Sequence, residues 1–523
     1  MEVNEIMSEN IHLYMIFAPV LFAMIAKTLG RRSVAVEYFS MAASLFLLIV
    51  SYIFISNVGT LSSKVLSMPF LGPGLFYADH LTAFMAFIIS LIFFITTIYS
   101  GDYLEHEIKL GVITERRVAD YYSRAFIFVS SMMMVVFINN IGLMWASVEA
   151  TTLISALLVG FHNTREAAEA AWKYLIICTV AIALSLFGIV LLNYAIISAN
   201  QSGLSLDYST LVSAGKFADL TIIKLSFIFV LIGYGTKAGL APMHTWLPDA
   251  HSQSPAPVSA MLSGVLLACS TYALIRFEHI ARLSTGVNFA SDYFIFFGLL
   301  SLFVAFPFII LQNDIKRLMA YSSIEHTGII YLALGFGGPF GIIAVLYHTF
   351  YHAVIKSMMF LTAGSIISVY KTNEISKIKG LFEHHKFLAT AIFLGGLGLC
   401  GMPPFGIFFS ELLILIAAIT AKKYLAAALY LICLSLIFLG FLNHLSKMTF
   451  GHYAKCHSEE AFECENCSRA TAGCRALDVH VGFKTKLAIT ILFLISITSG
   501  VYMIFALKEA MARSAMLLLS PLF

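Results

Sequence analysis

LIGYGTKAGLAP, residues 231–242, sets a lysine, Lys237, inside an apolar run and follows it at once with Gly239 and Pro242. A charged side chain at the centre of a bilayer costs roughly 2.5–3.5 kcal/mol on insertion scales. Proline removes a backbone donor and glycine loosens a helix, so carbonyls and amides freed in lipid need water or side chains. The run over 221–250, which also carries Gly233 and Gly235, therefore reads as a membrane helix broken around a hydrated, charged site.

The same combination recurs over 387–419, where Gly401, Pro403, Pro404 and Gly406 precede Glu411. Paired breaks in corresponding places are the sequence sign of an internally repeated transporter. The breaks correspond if two five-helix units span residues 124–276 and 289–445, and because five is odd the second unit is inverted. Two unrelated proline kinks are the alternative reading.

Composition carries the membrane assignment to the rest of the chain. Of 523 residues 59% are hydrophobic and 12% charged, and the mean hydropathy is +0.88, outside the range of soluble domains. Apolar runs of the length a hydrocarbon core requires recur from end to end. The expected fold is all-α and integral to the membrane, with about fourteen spans near 12–28, 36–56, 78–99, 124–141, 142–162, 172–197, 221–250, 255–276, 289–311, 317–335, 339–369, 387–419, 424–445 and 485–507. Organised by unit, residues 1–123 hold the first three spans, 446–484 a cysteine-containing loop and 485–523 the last span. Glu2, Glu5 and Glu9 precede the first apolar run, which argues against a removable signal peptide.

Twenty-one of the 32 Lys and Arg fall in or beside the odd-numbered connections and nine in the even-numbered ones, with Lys237 and Lys356 left inside helices. Basic residues favour the cytoplasmic side, so both termini are expected outside. The net charge of +3 is small and the basic groups lie between spans, so nothing suggests nucleic acid as a partner.

Besides Lys237, the buried ionisable residues are Glu149 in NNIGLMWASVEATTL (139–153), His348, His352 and Lys356 in LYHTFYHAVIKSMMF (346–360), and Glu411 in GMPPFGIFFSELLIL (401–415). The spacing i, i+4, i+8 stacks His348, His352 and Lys356 on one helical face, which suits a proton relay. The competing reading is a polar seam that joins helices.

Four of eight cysteines cluster as Cys456, Cys464, Cys467 and Cys474, near His457 and His480. The central CxxC suits zinc, but the flanking spacings follow no zinc pattern closely. A partner-docking or unstructured loop is the competing expectation.

GLAPMHTWLPDAHSQSPAPVSAMLSG (239–264), QNDIKRLMAYSSIEHTGIIYLALGFGG (312–338), the histidine segment and GMPPFGIFFSELLIL resemble, in order, the antiporter-like subunits shared by respiratory complex I, membrane-bound hydrogenases and multisubunit cation/proton antiporters. The resemblance covers roughly residues 75–445 and leaves the cysteine loop outside. Within that family the chain looks most like the F subunit of hydrogenase-4 and formate hydrogenlyase-type complexes, through SSIEHTG (322–328) and LSGVLLACSTYALIRF (262–277).

The resemblance implies a Glu149–Lys237 pair, a polar relay through His348, His352 and Lys356, and a terminal Glu411. Many relatives place a basic residue on the eighth helix, where this chain reads Ser263 to Cys269. The link from Lys237 then falls to water, to hydroxyls such as Ser263 or Ser270, or to His326. The resemblance also implies a prokaryotic inner membrane, and partners that are other membrane subunits and a peripheral redox module. Iron–sulfur clusters, with nickel–iron as a further candidate, would sit in those partners and no cofactor in this chain. Three functions follow: the proton-translocating subunit of a redox-driven complex, a subunit of a secondary Na⁺/proton antiporter, or a structural anchor.

Overall fold

The computed structural model describes residues 2–30, 32–57, 64–68, 72–198, 205–214, 219–286, 288–451, 481–501 and 505–519. The chain opens with α1 (Glu2–Leu29) and α2 (Ser33–Asn57), then a short antiparallel hairpin of β1 (Lys64–Met68) and β2 (Gly72–Ala78), a feature the hydropathy reading missed. There follow α3 (His80–Lys109), α4 (Glu115–Phe137), α5 (Ile141–Val159), α6 (Arg165–Ser198), a short α7 (Tyr208–Ala214) and α8 (Leu220–Ala238). The middle of the chain forms α9 (Trp246–Gln253), α10 (Ala256–Met261), a π-helical turn over Leu262–Leu266, α11 (Leu267–Thr285), α12 (Phe289–Leu311), α13 (Ile315–Phe336) and α14 (Gly338–Tyr370). It ends with α15 (Leu381–His384), α16 (Lys386–Leu399), α17 (Gly406–Thr420), α18 (Tyr424–Phe450), α19 (Phe483–Val501) and α20 (Phe505–Leu519).

Among the described residues eleven helices are long and apolar enough to cross a membrane. Three of the fourteen expected spans fall short by that measure. The segments α4 and α13 are long enough but carry polar and charged side chains, and the twelfth is divided into α16 and α17, of 14 and 15 residues. The C-terminal expectation of a single helix is corrected by α20, which packs on α3 and α14.

Both breaks exist, and each is a true interruption. The helix α8 stops at Gly239, whose φ of +88° is a left-handed cap, and Leu240 N–H closes back on Gly235 O; glycine reaches that conformation without strain. The expected single helix over 221–250 is thus α8 and α9 with an irregular linker between. In the second break Gly401 is also left-handed (φ +71°), and cis peptide bonds occur at Ala241–Pro242 and Pro403–Pro404.

The helix α3, the continuous helix formed by α10, its π turn and α11, and α14 are almost wholly buried and form the centre. Around them α1, α2, α6, α12 and α18 turn large apolar side chains outward, among them Trp172, Val180, Leu425 and Leu439. In lipid such faces are stable without further cover. Side-chain caps at Asp79, Asn140, Asp219 and Asp314 start α3, α5, α8 and α13 by accepting from first-turn amides.

The cysteine-loop expectation lies outside the described residues, since Cys456, Cys464, Cys467 and Cys474 all fall within 452–480. Two basic residues counted with connections are in fact buried. Lys316 donates to Ser254 O at 2.8 Å, and Arg276 makes a bidentate ion pair with the N-cap Asp79, both contacts at 2.6 Å. The Arg276 guanidinium also lies over the rings of Tyr77, Tyr208 and Tyr272. This arrangement fixes the start of α3 to α11.

Candidate functional site: a line of buried charges

The left-handed stop at Gly239 puts Lys237 in the last turn of α8, where carbonyls lacking an intrahelical partner favour a cation. Its side chain is fully buried. Nζ donates to Thr152 Oγ1 on α5 and to Tyr174 OH on α6, each at 2.6 Å, and lies 4.8 Å from the centre of the Tyr174 ring. Tyr174 is in turn held by Ser155 at 2.7 Å and packs on Trp246, the first residue of α9.

The expected direct pair with Glu149 does not form. Glu149 stands one turn before Thr152 on α5, its Oε1 accepts from Thr179 Oγ1 at 2.7 Å, and its buried Oε2 has no hydrogen-bond partner among the described residues. The two charges act on each other through space rather than by contact. A hydroxyl and a phenol satisfy the ammonium locally, which leaves the carboxylate one oxygen to spare.

Beyond Lys237 the polar line moves to α13. Thr327 Oγ1 donates to Ala238 O at 3.1 Å, so the residue next to His326 touches the residue next to Lys237. Ser263, in the π turn, shares a hydrogen bond with Ser323 of α13 at 2.8 Å, whereas the Ser270 hydroxyl is spent on Tyr234 O. Gly264 lets this turn approach α14, since a Cβ there would stand 2.6 Å from Ser357 Oγ. Of the links expected after Lys237, His326 meets the next group directly and Ser263 reaches only another serine.

His326 Nδ1 and His348 Nε2 are 3.0 Å apart, and His348 Nδ1 lies 3.0 Å from Ser410 Oγ on α17. The His352 ring is centred 5.2 Å from that of His326. One turn further on α14, Lys356 donates to Met319 O at 2.7 Å and to the Ser322 hydroxyl. The three stacked residues thus face α13, all buried. Glu411 follows Ser410 in the second turn of α17, near the helix end that favours an anion. Its carboxylate rests on Gly401, where a Cβ would come within 2.0 Å of Oε2.

Sequence reasoning missed two groups on this line. Glu325 is buried on α13, within electrostatic range of both Lys356 and Glu411 but in no direct ion pair with either; its signal is an acid beside His326 in the middle of a span. His251, at the end of α9, is fully buried and stacks on Phe360 with ring centres 4.7 Å apart. It sits beside a serine-rich turn and reads there as a connection residue. No group of three or more metal-ligating side chains occurs among the described residues.

A family profile described as NADH:quinone oxidoreductase/Mrp antiporter, TM matches residues 139–437. The hydrogenase-4 component F homolog of Methylacidiphilum infernorum is 39% identical over 72% of this chain and 79% of its own. The Na⁺/H⁺ antiporter subunit A1 of Staphylococcus haemolyticus is 27% identical over 76% of this chain and 50% of its own. Among solved structures, a chain of the archaeal membrane-bound sulfane sulfur reductase superposes with a TM-score of 0.83 at 20% identity, covering 98% of this chain and 99% of that one. A chain of the Mrp complex from Dietzia superposes at 0.81 and 18% identity, covering 98% of each. These two likenesses establish a shared fold.

Proposed function

Because the chain belongs to the NADH:quinone oxidoreductase/Mrp antiporter transmembrane family, we propose that it carries protons along the buried line from Glu149 through Lys237, His326, His348, His352 and Lys356 to Glu411, driven by electron transfer in partner subunits. The observation that carries this reading is the unbroken contact of His326, His348 and Ser410, which joins α13, α14 and α17 at the residue before Glu411.

Lys237 is the input switch. Its ammonium is held by two neutral oxygens, so a change in distance to the Glu149 carboxylate alters how strongly the proton is retained. A released proton passes by Thr327 and water to His326. Imidazoles then relay it, taking a proton on one nitrogen and losing one from the other, to the region of Lys356, Glu325 and Glu411. The two five-helix units run α4 to α11 and α12 to α18, inverted with respect to each other, with Lys237 beside the first break and Glu411 beside the second.

Lys and Arg cluster at the face bearing the odd-numbered connections, which supports placing that face in the cytoplasm of a prokaryotic cell. The redox partners would hold iron–sulfur clusters, with nickel–iron the metal expected if they resemble those of hydrogenase-4. Purification from native membranes in mild detergent, followed by mass spectrometry of everything retained, tests the coupling. Iron–sulfur or nickel–iron subunits support it; small membrane subunits alone would sink it and favour a secondary Na⁺/proton antiporter.

A further inference from the structure

A cavity of about 160 Å³ opens at the C-terminal end of α3, between that helix, the end of α14 and the start of α19, lined by Tyr99, Asp102, Tyr103, His106, Ser365 and Ser368 among others. Its wall is hydrogen-bonded through Tyr99 and Ser365 at 3.0 Å, and Tyr103 stacks on Tyr99. Behind it is Glu107, more than nine-tenths buried. Glu107 Oε1 meets His162 Nε2 at 2.8 Å, and Oε2 has no hydrogen-bond partner among the described residues.

Glu107 leads inward. The buried Lys316 ammonium donates to Ser254 O at 2.8 Å and lies within electrostatic range of Glu107 without touching it. Ser254 and Ser259 share a hydrogen bond of 2.6 Å and both reach His251 O. Among the described residues neither ring nitrogen of His251 has a hydrogen-bond partner, although the ring is fully buried. It lies within electrostatic range of both Lys316 and Lys356. A buried imidazole with two unsatisfied nitrogens is costly unless water or a moving proton uses them.

We propose that Glu107, Lys316 and His251 form the inlet by which protons reach Lys356 from the face bearing the odd-numbered connections. This rests on the reading that the chain conducts protons. Each group takes one proton from the outer side and gives one to the inner, with no net change. A second surface cavity, of about 180 Å³ beside α9, is the weaker candidate. Most of its charges are held in ion pairs, Arg317 and Lys173 with Asp249 and Lys173 with Glu169, and these pairs are partly exposed rather than buried.

The test uses the intact complex in membrane vesicles, with electron transfer and proton uptake recorded together. Glu107→Gln keeps the hydrogen-bonding shape, His251→Gln removes the titrating ring, and Lys356→Met serves as the control on the relay. Loss of pumping at retained electron transfer in all three supports the inlet. Loss in Lys356→Met with wild-type pumping in the other two overturns the inlet while the relay stands; wild-type pumping in all three overturns both. Should Glu107→Gln not assemble, Ser368→Cys offers an independent measure. A charged thiol reagent applied to the odd-numbered face should then block pumping in that variant and not in the unsubstituted complex, and failure to block contradicts the proposal.

Discussion

His326 Nδ1 and His348 Nε2 stand 3.0 Å apart between two buried helices, and the other nitrogen of His348 meets Ser410. Ser410 gives its single hydroxyl proton to Ile407 O, so it accepts from His348 Nδ1–H, and His348 Nε2 is then an acceptor for His326 Nδ1–H. A second excess proton would set two N–H groups against each other. The pair therefore holds one excess proton at a time, which is the property of a relay.

Breaking that contact from either side should have the same effect. His326→Ala, His348→Ala and the double variant are expected to lose proton pumping to a similar extent, because the two rings act as one unit. Pumping rates of the three purified complexes check this; additive losses would show separate roles.

Tyr174→Phe and Thr152→Val each remove one acceptor from the Lys237 ammonium. A hydrogen bond to a charged group is worth about 1.5–3 kcal/mol, so each variant should unfold at lower temperature in detergent. A thermal melt of the purified complex checks it. With the local partners weakened Lys237 depends more on Glu149, so adding Glu149→Gln should cost more in either variant than in the unsubstituted chain.

Gly401→Ala places a Cβ against the Glu411 carboxylate and in a left-handed conformation. Such a residue costs about 1–3 kcal/mol. The variant should show lowered stability and displaced Glu411, read as impaired pumping, whereas alanine at Gly111, whose Cβ would meet nothing within 4 Å, should carry only the backbone cost.

Arg276→Ala leaves Asp79 buried without its partner, a loss of about 3–5 kcal/mol. Asp79 also caps α3 through Thr82 N–H at 2.9 Å, so the expected failure is in assembly rather than in the proton path. The yield of intact complex checks it; normal assembly with impaired pumping would assign the pair to the relay instead.

The sequence made the spans and both breaks legible because apolar runs, Gly and Pro act locally, and the i, i+4, i+8 spacing alone places His348, His352 and Lys356 on one face. What it could not carry was contact between distant segments. Lys316 and Arg276 look like connection residues at span ends and prove buried only when α9, α11 and α13 are packed. The Glu149–Lys237 pair implied by resemblance gave way to Thr152 and Tyr174, whose hydroxyls give no charge signal. Glu325 carries a local signal, an acid in the middle of a span, but its place near Lys356 and Glu411 depends on α13 packing against α14 and α17.

The most direct test of the proton line is the purified complex reconstituted into sealed vesicles, with a pH-sensitive dye inside and electron donor and acceptor supplied. Lys237→Met is compared with the unsubstituted complex. The account predicts that electron transfer continues in the variant while the dye reports no proton movement; proton movement at the unsubstituted rate would contradict it.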